Sequence, residues 1–244
     1  MSVSVRGGYD DLASEYYDPT RHPTCANFRE ASAKVLRDCF LRQPAPRGPL
    51  CEVGAGDSVL ASLVDAPRAR MDNLLITDSS ASMLAYSAKW RSRRARLAVA
   101  DASRLPVPSD SVELLVASLG DPYNEAAFWS EACRVLAPGG RLVFTTPSHE
   151  WAWAFRQGDA ASETAEFELS DGRRICVPSV IHPIAEQTSM IAAAGMIVAR
   201  VTDVTLGDID SARMSPKLLP QRSKSASCLT AFDVFKPRNG PPDD

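Results

Sequence analysis

Short apolar runs alternate with helix-like segments between residues 50 and 147. Each apolar run is nearly continuous and is predicted as a strand: 50–53, 73–77, 97–100, 112–118 and 141–146. The segments between them predict helices over 59–64, 80–90 and 125–136. Strands that are apolar on both faces are typical of a parallel sheet covered by helices on each side. The alternation therefore predicts an α/β fold.

The pattern changes on both sides of this core, which is assigned to residues 49–147. Four further units are predicted: an N-terminal helical lid (1–48), an inserted cap with a hairpin (148–182), a C-terminal helix with the last strands (183–236) and a mobile tail (237–244). In the cap, Asp171-Gly172 is predicted as the turn of a hairpin spanning 166–177 that stands on the sheet edge. The last unit holds a helix over 184–194 and two strands, which bring the predicted sheet to seven.

Two glycines one residue apart follow the first strand of the core. Because Gly54 and Gly56 have no side chain, a ligand can lie directly against the backbone there. The helix that starts after them leaves unpaired N–H groups aimed at the same space. The turn thus favours a nucleotide-like ligand, and a plain strand-to-helix connection is the alternative. A dehydrogenase needs a third glycine where this chain has Val59, so a dinucleotide is disfavoured.

Acidic residues stand at the ends of three successive predicted strands. They are Glu52, Asp78 and Asp101. Because the carboxyl ends of parallel strands meet at one edge of the sheet, the three carboxylates are expected to face a common cleft. Each alone is equally typical of a solvated turn or a helix cap, and it is their repetition that favours ligand binding.

Composition and charge restrict the classes of function that are expected for this chain. The chain has 244 residues, of which 45% are hydrophobic and 23% charged, as in ordinary globular proteins. A net charge of −3 disfavours broad binding to nucleic acid. No apolar run has the length of a membrane span and the N-terminus lacks the apolar core of a secretion signal, so a cytoplasmic location is predicted. Six scattered cysteines without metal-ligand spacing predict free thiols and no metal.

Four motifs carry a resemblance to a known family. They are Glu52-Val53-Gly54-Ala55-Gly56, Thr77-Asp78, Ala100-Asp101-Ala102 with Leu105-Pro106, and the run from Glu131 to Leu142 that contains R-V-L-A-P-G-G. With Tyr9, Ala13 and Tyr16 at the N-terminus, the chain resembles class I S-adenosylmethionine-dependent methyltransferases of the small-molecule type. The resemblance implies a Rossmann-like, doubly wound, mostly parallel seven-stranded sheet. It also implies S-adenosyl-L-methionine as the cofactor and methyl transfer to a small organic molecule.

The resemblance implies roles for the matching residues. Those expected to bind the cofactor are Glu52, Gly54, Ala55, Gly56, Asp78, Ser79, Met83, Asp101, Ala102, Ser118 and Tyr16. In this scheme Asp78 accepts both ribose hydroxyls, Asp101 accepts from the adenine amino group, and Glu52 lies at the methionine end and the ribose. One departure from the family pattern is Ser58, which stands where many members have a third glycine.

The methyl acceptor is expected near the end of the fourth core strand. Catalytic candidates are Asp121, Tyr123 and His149, and acceptor-binding candidates are Tyr9, Arg21, His22 and Trp151. Asp121-Pro122-Tyr123 is similar to the (D/N)-P-P-(Y/F) motif of enzymes that methylate amino groups, but it lacks one proline, so that function is not transferred. Purely structural roles remain possible for these residues. Asp121 or Asn124 can cap the next helix, the histidines can be exposed loop residues, and Trp151 can pack in the core of the cap.

Other functions predict different surfaces. A methyltransferase acting on RNA or protein predicts that the arginine cluster at 91–96 joins Arg21 or Arg173-Arg174 in one basic surface. A non-catalytic cofactor-binding protein would keep the acidic strand ends without turnover. The net charge and the aromatic residues after the fifth core strand favour a small-molecule partner over nucleic acid or a membrane.

Overall fold

The computed structural model describes residues 5–6, 8–41, 46–64, 71–156, 163–209, 214–221 and 225–238. In this part of the chain the strands are β1 (Val5–Arg6), β2 (Leu50–Val53), β3 (Leu74–Asp78), β4 (Arg96–Val99), β5 (Val112–Ala117), β6 (Leu136–Pro147), β7 (Thr164–Glu168), β8 (Arg174–Pro178), β9 (Ile197–Thr205) and β10 (Ser227–Phe235). The helices are α1 (Tyr9–Leu12), α2 (Pro23–Leu41), α3 (Val59–Val64), α4 (Ala81–Leu84), α5 (Ala126–Val135), α6 (His149–Phe155) and α7 (Ile184–Ala193). The predicted tail beyond residue 238 lies outside the described residues.

Seven strands form one sheet in the order β4-β3-β2-β5-β6-β10-β9. The first five pair in parallel, and β10 is antiparallel to both of its neighbours. The predicted Rossmann-like, mostly parallel seven-stranded sheet is therefore confirmed. Its strand order reverses between β2 and β5, which is where ligands bind in open α/β sheets.

The two faces of the sheet bury separate apolar clusters. Leu50 and Leu114 pack with α2 and α3 on one face, whereas Cys51 and Leu115 pack with α5 and α7 on the other. Side chains of a strand alternate between faces, so neighbouring apolar residues enter different clusters. This explains why the central strands are apolar at nearly every position. Among the described helices, none is both long enough and apolar enough to cross a membrane.

Two predicted boundaries were wrong. The helix expected over 80–90 is the single turn α4 followed by a 3₁₀-helix, Ala85–Arg93. Strand β6 begins at Leu136 and contains the Pro138-Gly139-Gly140 segment that was expected to precede it. Gly139 has a φ of 80°, and the pairing with β5 shifts register at this point. The glycine therefore forms an irregularity within the strand, as is common where a glycine interrupts a strand.

A second, smaller sheet has the order β1-β8-β7. The predicted hairpin is present, and Gly172 at its turn has a φ of 83°. Its third strand, β1, comes from the N-terminus, and Leu12 packs with Ile175 and Val177 of the hairpin. The hairpin thus pairs with the N-terminal strand and not with the edge of the large sheet, where it was expected. The boundaries proposed for the lid and the cap remain predictions.

Candidate active site

A cavity of about 90 Å³ lies at the carboxyl ends of the central strands. The turn after β2, the ends of β3 and β4, the loop after β5 and the N-terminal segment all contribute to its wall. Several predicted cofactor residues line it: Gly54, Ala55, Asp78, Ser79, Met83, Ala102, Ser118 and Tyr16. The sheet edge expected to bind a ligand is thus the edge at which these residues meet.

The glycine turn keeps its backbone bare. Gly54 and Gly56 have φ values of 60° and 49°, which side-chain-bearing residues rarely adopt. The ring of Tyr123 lies over Gly54, where an added Cβ would be 2.6 Å from the tyrosine Cε1. The hydroxyl of Tyr17 lies over Gly56 and accepts the Asp57 N–H at 2.6 Å. Aromatic side chains therefore cover the surface that the sequence assigns to the cofactor.

Asp78 joins the end of β3 to this turn. Its Oδ2 accepts the Gly56 N–H at 2.9 Å and its Oδ1 accepts the Ser80 N–H at 2.8 Å. Burial raises the pKa of Asp78, and these N–H groups oppose the rise. Ser80 itself caps α4 by accepting the Met83 N–H at 3.0 Å. The carboxylate is thus held at the cavity wall beside the bare turn.

Glu52 is the main correction to the predicted site. Its side chain has no exposure and turns away from the cavity toward α3. Its carboxylate accepts the Val59 N–H at 3.0 Å, the Leu60 N–H at 3.1 Å and the Ser58 hydroxyl. Burial raises the pKa of Glu52 to about 7, and the Ser58 hydroxyl opposes this. The residue stabilises the start of α3, so the predicted contact with the methionine end or the ribose is wrong for its side chain in this structure.

The third acid stands at the rim of the cavity. Ala100 and Ala102 line the wall, whereas Asp101 between them is exposed. Its Oδ1 accepts both the N–H and the hydroxyl of Ser103 at 2.7 Å, and the hydroxyl lowers the pKa of Asp101. Of the three predicted acids, one therefore lines the cavity, one stands at its rim and one faces away.

The cation of the cavity was missed by the sequence analysis. Arg29, on α2, is the only lysine or arginine among the described lining residues. Its guanidinium lies 4.9 Å from the ring centre of Tyr16 and 4.8 Å from that of Tyr17, and it donates to the Tyr16 carbonyl at 3.1 Å. Ser32, one turn further on, bonds the hydroxyls of Ser118 and Thr145 at 2.7 Å. The inward face of α2 thus adds polar groups to the site.

The N-terminal segment closes the cavity. Tyr9, Tyr16 and Tyr17 all line it, and Tyr17 was not among the predicted site residues. The segment is tied to the 80–86 region, since Asp10 accepts the Ser80 hydroxyl and Tyr86 donates to the Ala13 carbonyl, both at 2.7 Å. The predicted lid therefore covers the same cavity as the glycine turn.

The loop after β5 contributes to the cavity wall, whereas its buried acid, Asp121, is not among the described lining residues. Pro122 and Tyr123 line the cavity, and Tyr123 donates to the Val53 carbonyl at 2.8 Å. Asp121 is buried, and its Oδ2 accepts the Ser179 hydroxyl at 2.8 Å. Asn124 does not cap α5 with its side chain. Instead it donates to Gln187 at 2.6 Å and accepts from the Trp129 indole at 3.0 Å, which fixes the loop.

The remaining candidates lie away from the cavity wall. His149 begins α6 and its ring faces Trp153, while Arg21 is paired with Glu15 at 3.2 Å. His22 is buried against Phe167 of the hairpin, with its Nε2 3.9 Å from Glu15. These three are not brought together with the glycine turn.

Trp151 belongs to the main core. Its ring packs at 4.8 Å from Phe28 and 5.0 Å from Phe155, and its indole donates to the Lys217 carbonyl at 3.1 Å. It does not line the cavity, and it packs with α2 and not in a separate core of the cap. Trp151 thus lies outside the cavity wall, and its contact with an acceptor stays a prediction.

Comparisons with known proteins find a methyltransferase domain in the central part of the chain. Residues 51–144 match the family model of a methyltransferase domain. A malonyl-[acyl-carrier protein] O-methyltransferase from Methylococcus capsulatus is 32% identical over 122 residues. That match covers 48% of this chain and 44% of the relative, so the chain matches less than half of the relative's length.

Two solved structures share the fold. Geranyl diphosphate C-methyltransferase from Streptomyces coelicolor, solved with S-adenosyl-L-homocysteine, has a TM-score of 0.61 at 16% identity over 85% of this chain and 79% of its own. An S-adenosylmethionine-dependent methyltransferase from Clostridium acetobutylicum has a TM-score of 0.62 at 12% identity. The match covers 94% of this chain and 99% of the other chain. The order of the sheet is thus that of the Rossmann-like fold that these structures share. Residues 51–144 therefore match a methyltransferase domain, in agreement with the resemblance that the motifs predicted.

Proposed function

We propose that this protein is an enzyme that uses S-adenosyl-L-methionine to methylate a small organic molecule. One observation carries the proposal: a bare glycine turn and the Asp78 carboxylate face the same cavity at the switch point of the sheet. A carboxylate there can accept the two hydroxyls of a ribose, and the bare backbone leaves space for an extended methionine chain.

The residues of the cavity fit the charges of this cofactor. Arg29 would hold the methionine carboxylate, Asp78 the ribose, and Met83 with Ala102 the adenine ring. Ligand pockets usually measure roughly 300–1,000 Å³, which exceeds the cavity of about 90 Å³. The rings of Tyr17 and Tyr123 over the glycine turn would therefore turn aside when the cofactor enters. Binding and movement of the N-terminal segment are expected to be coupled.

The cofactor supplies an activated methyl group, and the chain's residues align the acceptor with it. Alignment of two reactants in a closed site supplies much of the rate gain in such a transfer. Tyr9, Tyr16 and Tyr17 close the cavity from the lid side and would exclude water from the reacting atoms. A base is needed only for an acceptor that must lose a proton.

Small-molecule acceptors fit better than RNA. Arg21 is paired with Glu15, Arg173 with Asp171, and Arg174 with Glu166 and Glu168. These pairs leave less positive charge for phosphate groups than the basic surface that an RNA-methylating enzyme predicts. The narrow, tyrosine-lined cavity also favours a small acceptor.

The direct test is calorimetry with S-adenosylmethionine and NAD, followed by transfer of a labelled methyl group to a metabolite extract. Saturable binding of S-adenosylmethionine alone, with label recovered in small molecules, is the expected result. Binding of neither ligand, or label recovered only in RNA or protein, would contradict the proposal.

Replacing Arg29 with methionine is expected to weaken S-adenosylmethionine binding by roughly 10- to 100-fold, because a charge-assisted bond to the cofactor carboxylate is lost. Arg37→Met is the matched control, since Arg37 is exposed two turns further along α2. Calorimetry on both variants measures the effect. Equal affinities for the two variants would show that Arg29 has no part in binding.

A further inference from the structure

Three hydroxyl groups form a continuous hydrogen-bonded chain between α2, β5 and β6. Thr145 of β6 and Ser32 of α2 have no exposure, and their hydroxyl oxygens are 2.7 Å apart. The Ser32 oxygen is also 2.7 Å from the hydroxyl oxygen of Ser118, which follows β5 and lines the cavity. At the other end, the Leu119 N–H donates to Thr145 Oγ1 at 2.8 Å. The hydroxyl chain thus runs from a backbone amide, through the core, to the cavity wall.

The amide at one end fixes the direction of every hydrogen bond in the hydroxyl chain. A hydroxyl donates one hydrogen bond, and a buried donor without an acceptor is costly. Thr145 Oγ1 accepts the amide and has only Ser32 as a second partner among the described residues, so the Thr145 hydroxyl donates to Ser32. Ser32 then donates its own hydrogen to Ser118, which is its other partner. The Ser118 hydroxyl therefore accepts within the chain and finds no acceptor there for its own hydrogen.

This open end makes Ser118 a hydrogen-bond donor. Ser118 is the half-buried member of the three and the one that lines the cavity, so its hydrogen is available to a ligand there. An oxygen with lone pairs suits this position. An ammonium group can only donate, and it would leave the Ser118 hydrogen without an acceptor. The hydroxyl chain therefore selects an oxygen acceptor at this point of the cavity.

Thr145 also holds the backbone next to Ser118. Leu119 lines the cavity and has a φ of 55°, which side-chain-bearing residues rarely adopt. The Thr145 hydroxyl accepts the Leu119 N–H, and the Thr145 carbonyl accepts the Gly120 N–H at 2.8 Å. Residues held in such conformations are concentrated at functional sites. Thr145 thus fixes the cavity wall, although it is not itself among the described lining residues.

A second donor lies on the same face of α2. Arg29 lines the cavity one turn before Ser32, and the proposed function assigns its guanidinium to the cofactor carboxylate. A carboxylate has two oxygens that only accept, so it can take one bond from a guanidinium and another from a hydroxyl. We propose that Ser118 donates to the carboxylate of S-adenosyl-L-methionine, and that Ser32 and Thr145 are positioning residues that fix this donation. The inference rests on the proposed methyltransferase function.

The test compares S-adenosylhomocysteine with its decarboxylated analogue, an amine that keeps the adenosine and the thioether. Calorimetry gives the ratio of their affinities, which reports on the carboxylate and cancels changes that affect both ligands alike. Ser118→Ala is expected to lower this ratio roughly tenfold, because one charge-assisted hydrogen bond is lost. Thr145→Val is expected to lower it roughly threefold, because Ser118 can then donate to Ser32 instead of the ligand.

Two variants of similar shape serve as controls. Thr145→Ser keeps the hydroxyl and is expected to keep the ratio within about twofold of wild type. Thr146→Val removes the neighbouring hydroxyl, which is buried and has no hydrogen-bond partner among the described residues, and should also leave the ratio unchanged. Melting temperatures establish that each variant is folded. A drop in the ratio for Thr145→Ser as large as that for Thr145→Val would contradict the role of the hydroxyl.

A double-mutant cycle separates positioning from a general effect on the fold. If Thr145 acts through Ser118, Thr145→Val has no further effect on the ratio in a Ser118→Ala background. Independent effects of the two changes on the ratio would instead add. The absence of a further effect is the expected result, and additive effects would contradict the inference.

The outcomes separate this inference from the proposed function. Failure of both S-adenosylhomocysteine and S-adenosylmethionine to bind would overturn the methyltransferase proposal. Normal binding with an unchanged ratio in Ser118→Ala, or with equal losses of affinity for both ligands in Thr145→Val, would overturn only the role of the hydroxyl chain. A loss of methyl transfer to a metabolite extract in Ser118→Ala at an unchanged ratio would assign the hydroxyl to the acceptor and contradict the cofactor contact.

Discussion

Replacing Asp78 with alanine is expected to weaken S-adenosylmethionine binding by at least about 100-fold. The carboxylate would accept two ribose hydroxyls, and each charge-assisted hydrogen bond contributes about 1.5–3 kcal/mol. Since about 1.4 kcal/mol corresponds to a tenfold change in affinity, the loss of both bonds exceeds two orders of magnitude. Calorimetric titration of the folded variant measures the change.

Asp78 also holds the glycine turn, so the design must separate binding from turn geometry. Asp78→Asn keeps the shape of the side chain and one acceptor oxygen, and it is expected to show an intermediate loss. Asp72→Ala is the control, because Asp72 is exposed just before the start of the same strand and faces Arg94 at 3.6 Å. Wild-type affinity in Asp78→Ala, with the melting temperature unchanged, would remove Asp78 from the proposed cofactor site.

The sequence was sufficient to predict the strands and the cavity that their ends form. The reason is physical: parallel strands buried on both faces are apolar at nearly every position, as β2 and β5 are apart from Glu52 and Glu113, and positive φ favours glycine, as at Gly54 and Gly56. These constraints act on consecutive residues. They are therefore readable from one chain without knowledge of its tertiary contacts.

The direction of individual side chains was not predictable in the same way. Glu52 stands beside the glycine turn in sequence, yet its carboxylate bonds the start of α3 together with Ser58. Ser58, noted as a departure from the family pattern, is the residue that could have signalled this pairing. A hydroxyl next to a helix start offers a buried acid a local partner that glycine cannot provide.

Arg29 was not predicted because its contacts join residues that are far apart in sequence. It lies four residues after Cys25, three before Ser32 and seven before Leu36, which places it on the inward face of α2. An arginine on an otherwise buried helix face indicates a site. On this long helix, however, the sequence alone does not distinguish Arg29 from the exposed charged residues. Its role depends on two rings of the lid, and no local pattern brings those rings to α2.

The second large effect is expected from Glu52→Ala, and it acts on stability. Removing the carboxylate leaves the N–H groups of Val59 and Leu60 and the hydroxyl of Ser58 without their buried acceptor. Unsatisfied buried donors cost about 1–3 kcal/mol each, with partial relaxation, so the free energy of unfolding is expected to fall by about 3 kcal/mol. For a chain of this size the melting temperature would drop by roughly 6–12 °C, as measured by thermal denaturation.

The pH dependence of this loss has a definite sign. Burial raises the pKa of Glu52 to about 7 in the folded protein, above the 4.5 of a free side chain. The folded state therefore binds more protons than the unfolded state between these values, and the stability that Glu52 contributes decreases as the pH rises through this window. The difference between wild type and Glu52→Ala is thus expected to be larger at pH 5 than at pH 8.

Cofactor affinity decides between this structural role and the ligand role that the motif implied. Because Glu52 faces α3 and not the cavity, folded Glu52→Ala is expected to bind S-adenosylmethionine within about threefold of wild type, measured well below its melting temperature. Glu30→Ala, an exposed position on α2, is the control and should change stability by less than about 0.5 kcal/mol. A variant that melts like wild type but binds the cofactor more than tenfold more weakly would show that Glu52 turns into the cavity when the cofactor binds.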